Sequence, residues 1–166
     1  MFRTKLQETY ELKDVCFYDN ARTGQKNTDW TKSSDSLTVT TADDGTTVSS
    51  TSNNEYLTDT SFTGDFKATL KTYVTGNVVR IALKDENGNY TRIVSVTNDR
   101  TVYYEITRIN GVYSAKYSYD GVTWTNGSFE LNNATGTVKF SISIRFSSGS
   151  SGTRAVKYSD LIIEPI

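Results

Sequence analysis

Apolar and polar residues alternate along several stretches in the middle and C-terminal part of the chain. In one stretch Phe66, Ala68 and Leu70 are separated by lysine and threonine residues. The clearest alternation spans residues 137–146, where five apolar side chains share one face: Val138, Phe140, Ile142, Ile144 and Phe146. A period of two is typical of a β-strand that has one face in a core and the other in water. The pattern therefore predicts half-buried β-strands.

Short turn signals separate the alternating stretches. Asn-Gly and Asp-Gly pairs tolerate positive φ angles and suit tight hairpin turns. Such signals occur at residues 86–89, 110–111 and 120–121, and a further Asp-Asp-Gly turn at residues 43–45 separates two short strands. A sequence of hairpins predicts an antiparallel, all-β fold.

The number of strands favours two packed sheets. We count about eleven to thirteen strands, which fits a two-sheet β-sandwich of jelly-roll type better than a small barrel. The first strand, residues 10–18, is expected beside the last, residues 154–163, because chain termini often lie close together. At 166 residues the whole chain, 1–166, is expected to form a single domain.

Charge and hydropathy exclude several partners. The formal net charge is −1 and the charged residues are spread evenly, so no basic patch suited to nucleic acid or an anionic membrane is expected. No apolar run approaches the roughly 20 residues that a membrane-spanning helix needs. The N-terminal segment also lacks the apolar core of a secretory signal peptide.

The rarity of histidine and cysteine limits the possible chemistry. The chain contains no histidine, which removes histidine-dependent catalytic triads and zinc sites. Its single cysteine, Cys16, cannot form an intrachain disulfide and is interpreted as a small strand residue between Val15 and Phe17. We therefore expect no catalytic residue of these types.

The acidic residues give no convincing enzyme or metal site. Glycoside hydrolysis needs two facing carboxylates, whereas Glu105 stands alone in a central strand. Asp85, Asn87 and Asn89 alternate as the oxygen ligands of calcium do in a loop, but the demand of a hairpin turn for Asp, Asn and Gly is the better account of them. The sequence therefore predicts a non-enzyme with no metal and no cofactor.

Aromatic and charged residues on the outward strand positions form the candidate ligand site. The chain has 11 Tyr, 7 Phe and 2 Trp, and flat aromatic rings flanked by polar groups can hold sugar rings. If the apolar residues of strands 78–84 and 101–108 face the core, the intervening residues share one outward surface. The candidate set is Arg80, Arg92, Tyr103, Glu105 and Lys116 across one sheet, with Tyr90 and Trp124 on nearby turns.

Two interpretations of this set remain open. Either its members contact a ligand, or they are cross-strand pairs that stabilise an exposed sheet face. Trp124 is interpreted either as a sugar platform or as a lid over one end of the core.

Three segments resemble a known superfamily. They are GDFKATLKTYVTGNVVRIALKDENGNYTRI at 64–93, NGVYSAKYSYDGVTWTNGSFEL at 110–131 and VKYSDLIIEPI at 156–166. Together they resemble the concanavalin A-like lectin/glucanase jelly roll, with its laminin G-like and carbohydrate-binding branches. Hydrolytic members usually carry Glu-x-Asp-x-x-Glu on one strand, and this sequence has no such spacing. The opening YELKDVCFYDNA, at 10–21, is similar to modules in tail and surface proteins of bacterial or archaeal viruses.

The resemblance implies a function that the residues alone do not. It implies a non-catalytic recognition or adhesion module that binds a glycan or a cell-surface polysaccharide, on a virion or a cell surface. The alternative is a structural virion decoration, fibre or assembly protein with no glycan ligand, in which the same surface holds a homo-oligomer or a larger assembly together.

Overall fold

The computed structural model describes residues 17–20, 23–75, 79–94, 99–146 and 149–166. These residues form fifteen β-strands and no helix. In chain order the strands are β1 Phe17–Asn20, β2 Gln25–Lys26, β3 Trp30–Lys32, β4 Thr38–Ala42, β5 Gly45–Ser50, β6 Asn54–Thr58, β7 Phe66–Thr75, β8 Val79–Asp85, β9 Tyr90–Ile93, β10 Arg100–Ile109, β11 Val112–Ser118, β12 Thr125–Asn126, β13 Phe129–Asn132, β14 Val138–Ile144 and β15 Arg154–Pro165.

The strands are arranged in two antiparallel sheets, as the sequence predicts. The first sheet has the order β12-β11-β10-β7-β15-β1-β2, and β5 also pairs with β15 while β4 pairs with β5. The second sheet has the order β13-β9-β8-β14-β6-β3. The prediction of an antiparallel two-sheet β-sandwich is confirmed. Within the described part of the chain, no helix is long and apolar enough to cross a membrane.

The last strand organises the first sheet. One edge of β15 pairs with β7, while its other edge is shared by β5 along Arg154–Tyr158 and by β1 along Asp160–Ile163. The pairing of β1 with β15 confirms that the first described strand lies beside the last. Residues 10–16, including Cys16, lie outside the described residues.

The core lies between the sheets and follows the predicted alternation. On β14 the side chains of Val138, Phe140, Ile142 and Ile144 are buried, and on β7 the same holds for Phe66, Ala68, Leu70 and Val74. Trp30 stacks on Tyr56 with ring centroids 4.8 Å apart. Burying these apolar surfaces is the main source of stability for such a fold.

The turns are built as their sequences predict. Asn110 and Gly111 have φ angles of 50° and 78° and form the two-residue turn between β10 and β11. The Asp85 carboxylate accepts hydrogen bonds from the backbone N–H groups of Asn87 at 2.9 Å and Asn89 at 2.8 Å. Its role as a turn residue is thereby confirmed.

The segment after β11 is braced by one carboxylate. Asp120 Oδ1 accepts hydrogen bonds from Ser118 Oγ at 2.8 Å and from the backbone N–H groups of Val122 at 2.8 Å and Thr123 at 2.7 Å. These donors stabilise the charged form, so they hold the pKa of Asp120 well below its usual range. The segment has a structural role.

Candidate functional site

The residues predicted to form one surface lie on two different sheets. Strands β8 and β9, which carry Arg80, Tyr90 and Arg92, belong to the second sheet. Strands β10 and β11, which carry Tyr103, Glu105 and Lys116, belong to the first sheet. The prediction of a single shared surface is wrong, because alternation fixes which side chains point outward but not which sheet a strand joins. The two groups lie on opposite faces of the sandwich.

The first-sheet group is held by contacts within the sheet. Glu105 lies opposite Lys116 in register and forms an ion pair with it at 2.9 Å. The Nζ atom of Lys71 lies 5.4 Å from the centroid of the Tyr103 ring. Gly121 approaches the same ring so closely that an added Cβ would lie 3.3 Å from its Cζ atom. Here the structure favours the interpretation of cross-strand pairs that stabilise an exposed face.

Trp124 stands at the edge of the same face. The residue is 37% exposed, and Lys116 Nζ lies 5.6 Å from its ring centroid. Both interpretations of Trp124, as a lid over one end of the core and as a sugar platform, stay predictions.

The outer face of the second sheet is rich in polar side chains. The middle strands place small side chains there, namely Ala82 on β8 and Ser141 and Ser143 on β14, and all three are fully buried. They are covered by longer polar side chains from neighbouring positions, which we call the polar layer: Glu55, Arg80, Lys84, Tyr90, Arg92, Glu130 and Arg145. Because the side chains next to the sheet are small, the long polar side chains can lie over them and form a second layer on this face.

Glu55 lies at the centre of the polar layer. Its Oε1 atom accepts a hydrogen bond from Ser141 Oγ at 2.7 Å, and its Oε2 atom accepts bonds from Lys84 Nζ at 2.8 Å and Tyr90 Oη at 3.3 Å. The side chain is only 8% exposed. Burial opposes ionisation, but the bonds from Lys84 and Ser141 outweigh it and lower the pKa of Glu55. Glu55 is therefore held as a carboxylate.

Tyr90 spans the sheet to reach Glu55. Since Tyr90 is on β9 and Glu55 is on β6, the phenol passes over the intervening strands β8 and β14. The guanidinium carbon of Arg92 lies 4.4 Å from the ring centroid, and Lys84 Nζ lies 5.2 Å from it. Both are cation–π contacts. The result is a tyrosine fixed at its hydroxyl and stacked with an arginine.

Three arginines lie at one end of the polar layer. Arg80 forms an ion pair with Glu130. The Nε atoms of Arg92 and Arg145 are buried and have no hydrogen-bond partner among the described residues. Burial lowers the pKa of Arg92, and the nearby charges of Arg145 and Arg80 lower it further. At this end of the layer two buried donors are unsatisfied, and neither guanidinium pairs with a carboxylate among the described residues.

A recess lies on the opposite face of the sandwich. A cleft of about 380 Å³ on the first sheet is lined in part by Lys71, Tyr73 and the ion pair between Lys157 and Asp44. The Asp44 side chain is 66% exposed, so this pair is solvated and adds little rigidity. The polar layer, whose central carboxylate is buried and hydrogen-bonded, is better ordered for recognition. Among the described residues, no cluster of three or more Cys, Asp or Glu side chains is placed to hold a metal ion.

Sequence reasoning found part of the polar layer. It identified Arg80, Tyr90 and Arg92 but missed four other members: Glu55, Lys84, Glu130 and Arg145. Glu55 lies in a segment rich in Ser, Thr and Asn, where alternation gives no clear strand signal. For Arg145 and the serines beneath the layer, the available sequence signal was the polar side of residues 137–146, which carries Ser141, Ser143 and Arg145 at alternate positions.

Comparisons by sequence find no relative. No protein-family model matches the chain. No curated protein matches it.

Comparison by structure gives clear similarities. A functionally unknown protein from Saccharomyces cerevisiae has a TM-score of 0.63 at 11% identity, covering 84% of this chain and 97% of that one. The carbohydrate-binding module CBM66 from Bacillus subtilis has a TM-score of 0.59 at 10% identity, covering 83% of this chain and 97% of that one. The exoplasmic/lumenal domain of VIP36, in its Ca²⁺/Man3GlcNAc-bound form, has a TM-score of 0.58 at 10% identity, covering 82% of this chain and 86% of that one.

These similarities concern the fold. The chain has a β-sandwich of the concanavalin A-like lectin type, as the sequence resemblance implies. At identities this low, a shared fold does not carry function with it. The similarity to virus tail and surface proteins stays a prediction.

Proposed function

We propose that the chain is a non-catalytic carbohydrate-binding module whose ligand lies on the polar layer of the second sheet. The observation that carries this proposal is the fixed stack of Arg92 on Tyr90 next to the buried Glu55 carboxylate. A sugar ring places its C–H face on a flat side chain and its hydroxyls on charged hydrogen-bonding groups. The polar layer supplies both kinds of group without needing to rearrange.

The structural neighbours support a carbohydrate ligand. One is a carbohydrate-binding module, and another was solved with Ca²⁺ and Man3GlcNAc bound. The proposed site is built from arginine, lysine, tyrosine and a carboxylate, so the proposed binding does not depend on a metal ion.

The state of Glu55 supports a non-catalytic role. A general acid in glycoside hydrolysis needs a raised pKa and a second carboxylate across the bond to be cleaved. The pKa of Glu55 is instead lowered, and Glu130 on the same face is paired with Arg80. Both carboxylates are therefore suited to binding. Polysaccharide hydrolysis that disappears in Glu55→Gln or in Glu105→Gln would overturn this part of the proposal.

We place the module on a virion or a cell surface, following the sequence resemblance. Immunogold labelling of particles and cells from the source tests this location. The rival proposal is an assembly role, in which the polar layer contacts another copy of the chain or a larger assembly and binds no sugar. In the binding role a sugar covers Tyr90 and Arg92, whereas in the assembly role another protein surface covers them.

The deciding experiment uses the opposite faces of the sandwich as mutual controls. Light scattering establishes the oligomeric state, and a glycan array is then probed with the wild type, Arg92→Gln, Tyr90→Leu, Tyr103→Leu and Glu105→Gln. We expect binding to a defined family of glycans that is lost in the two second-sheet variants and kept in the two first-sheet variants. Thermal melts verify that each variant is folded.

Two results would overturn the proposal. Loss of binding in the first-sheet variants alone would place the site on the other face. A blank array together with a stable oligomer that buries Arg92 would favour the assembly role.

A further inference from the structure

The outer face of the second sheet carries more cations than anions. Its positive side chains are Arg80, Lys84, Arg92, Lys139 and Arg145, and the carboxylates of the polar layer are Glu55 and Glu130. The chain as a whole has a formal net charge of −1. The excess of positive over negative side chains on this face is therefore not a general property of the protein.

The two carboxylates of this layer are already engaged. Glu55 pairs with Lys84, and Glu130 pairs with Arg80. Among the described residues, Arg92 and Arg145 form no ion pair, and each has a buried Nε atom without a hydrogen-bond acceptor. The buried Nε atoms are out of reach of an external ligand, but within the described part of the chain the guanidinium groups also lack a carboxylate partner. An anion from outside the chain would supply the opposite charge that the two groups lack.

The arginines also repel one another. The strand register places Arg80 opposite Ser143, two residues before Arg145, and Arg92 opposite Ala82, so the three side chains rise from one end of the same face. Consistent with this placement, the pKa of Arg92 is lowered by burial and then by the charges of Arg145 and Arg80. A neutral sugar hydroxyl can accept a hydrogen bond but leaves this repulsion in place. An anionic group accepts the bonds and also screens the charges, and the planar guanidinium matches carboxylate and sulfate oxygens.

We propose that the ligand is an acidic oligosaccharide whose carboxylate or sulfate group binds Arg92 and Arg145 while its ring lies over Tyr90. This inference rests on the proposed function and narrows its ligand class. The arginine pair supplies the anion site, and the Tyr90–Arg92 stack places it beside the sugar platform.

The test uses ligands matched in everything except charge. Binding is measured by calorimetry and on an array for oligogalacturonides and their methyl esters, and for sulfated oligosaccharides and their desulfated forms. We expect binding of the charged member of at least one pair and a loss of about 10- to 100-fold for its neutral counterpart, since a hydrogen bond to a charged group contributes on that order. The pair that binds identifies the anion as carboxylate or sulfate.

Protein variants provide the second arm. Arg145→Gln is expected to weaken binding of the acidic ligand about 10-fold or more, and Arg145→Lys to recover only part of it, because lysine lacks the planar fork. Lys116→Gln removes the same charge from the opposite face and is expected to leave affinity unchanged.

The outcomes separate this inference from the proposed function. Tight binding of neutral glycans, lost in Tyr90→Leu but unaffected in Arg145→Gln, would overturn the acidic ligand and keep the carbohydrate-binding function. Absence of binding to every acidic and neutral glycan tested would overturn both.

Discussion

The indole Nε1 of Trp30 donates a hydrogen bond of 2.8 Å to Oδ2 of Asp19, and this bond joins the two sheets. Trp30 lies on β3 in the second sheet, whereas Asp19 lies on β1 in the first. The hydroxyl of Tyr158 donates to the same oxygen at 2.9 Å. Asp19 is 5% exposed, so these donors replace the water that the carboxylate loses on folding.

Replacing this acceptor should destabilise the fold. In Asp19→Ala the Trp30 and Tyr158 donors become buried and unsatisfied, which we expect to cost about 3 kcal/mol of unfolding free energy. Asp19→Asn keeps an oxygen acceptor and should lose less. Urea unfolding followed by tryptophan fluorescence measures both.

Asp29→Ala, at an exposed ion pair with Lys26, is the control and should change stability by less than about 1 kcal/mol. Equal losses in Asp19→Ala and Asp29→Ala would contradict the role of Asp19.

The same cluster should make the protein sensitive to alkali. Burial, and then the charge of Asp19, raises the pKa of Tyr56 to about 12 from 10.0, and the same two causes raise the pKa of Tyr158. A raised pKa in the folded state means that stability is complete below pH 10 and is lost as the unfolded chain ionises above it. For Tyr56 the loss between pH 10 and 12 is on the order of 2–3 kcal/mol.

The measurement is the pH dependence of urea unfolding in the wild type and in Tyr56→Phe. The variant lacks the ionisable hydroxyl, so its stability should fall less steeply above pH 10. Tyr119→Phe, at an exposed position, serves as the control and should follow the wild type. A parallel decline in all three proteins would show that Tyr56 ionises as freely in the folded state as in the unfolded chain.

Gly45 should be among the least replaceable glycines of the chain. Its φ angle is 140°, and a Cβ added there would lie 2.5 Å from the carbonyl oxygen of Tyr158. We expect Gly45→Ala to cost about 3 kcal/mol, from backbone strain together with overpacking. Gly111 has a φ of 78° with nothing within 4 Å, so Gly111→Ala should cost only about 1–2 kcal/mol. Thermal or urea melts compare the two; equal losses would mean that the contact with Tyr158 is relieved by a small backbone shift.

Much of the fold follows from local sequence, whereas the assignment of strands to sheets does not. The alternation around Phe140 and the Asn110-Gly111 turn depend on neighbours in the chain, and both were predictable. Arg80 and Tyr103 have the same local pattern, yet they lie on opposite faces because the chain crosses between the sheets at strand ends. That crossing is determined by how the whole core is packed.

The candidate site was only partly predictable for the same reason. Tyr90 and Glu55 are 35 residues apart, and their contact depends on β9 and β6 joining the same sheet. Ala82 and Ser141 matter because they are small where long side chains must pass over them. Their importance appears only once the strands are placed side by side.

Glu55 itself should make a measurable contribution to acid stability. Its pKa is lowered from 4.5, because hydrogen bonds from Lys84 and Ser141 outweigh the cost of burial. A lowered pKa in the folded state contributes stability that is present above pH 4.5 and is lost as the pH falls through the lower folded value. The wild type should therefore lose stability below pH 4.5, in part through protonation of this carboxylate.

Glu55→Gln isolates that contribution. At neutral pH we expect the variant to be less stable by about 1–3 kcal/mol, because Lys84 and Ser141 lose their charged acceptor. Below pH 4.5 the difference from the wild type should shrink, since the wild-type carboxylate is then protonated too. Glu105→Gln removes the same charge from the first-sheet pair with Lys116, whose lysine side chain is 42% exposed, and should have a smaller effect. A constant gap between the wild type and Glu55→Gln across this pH range would mean that the glutamate shapes the polar layer through packing and not through its charge.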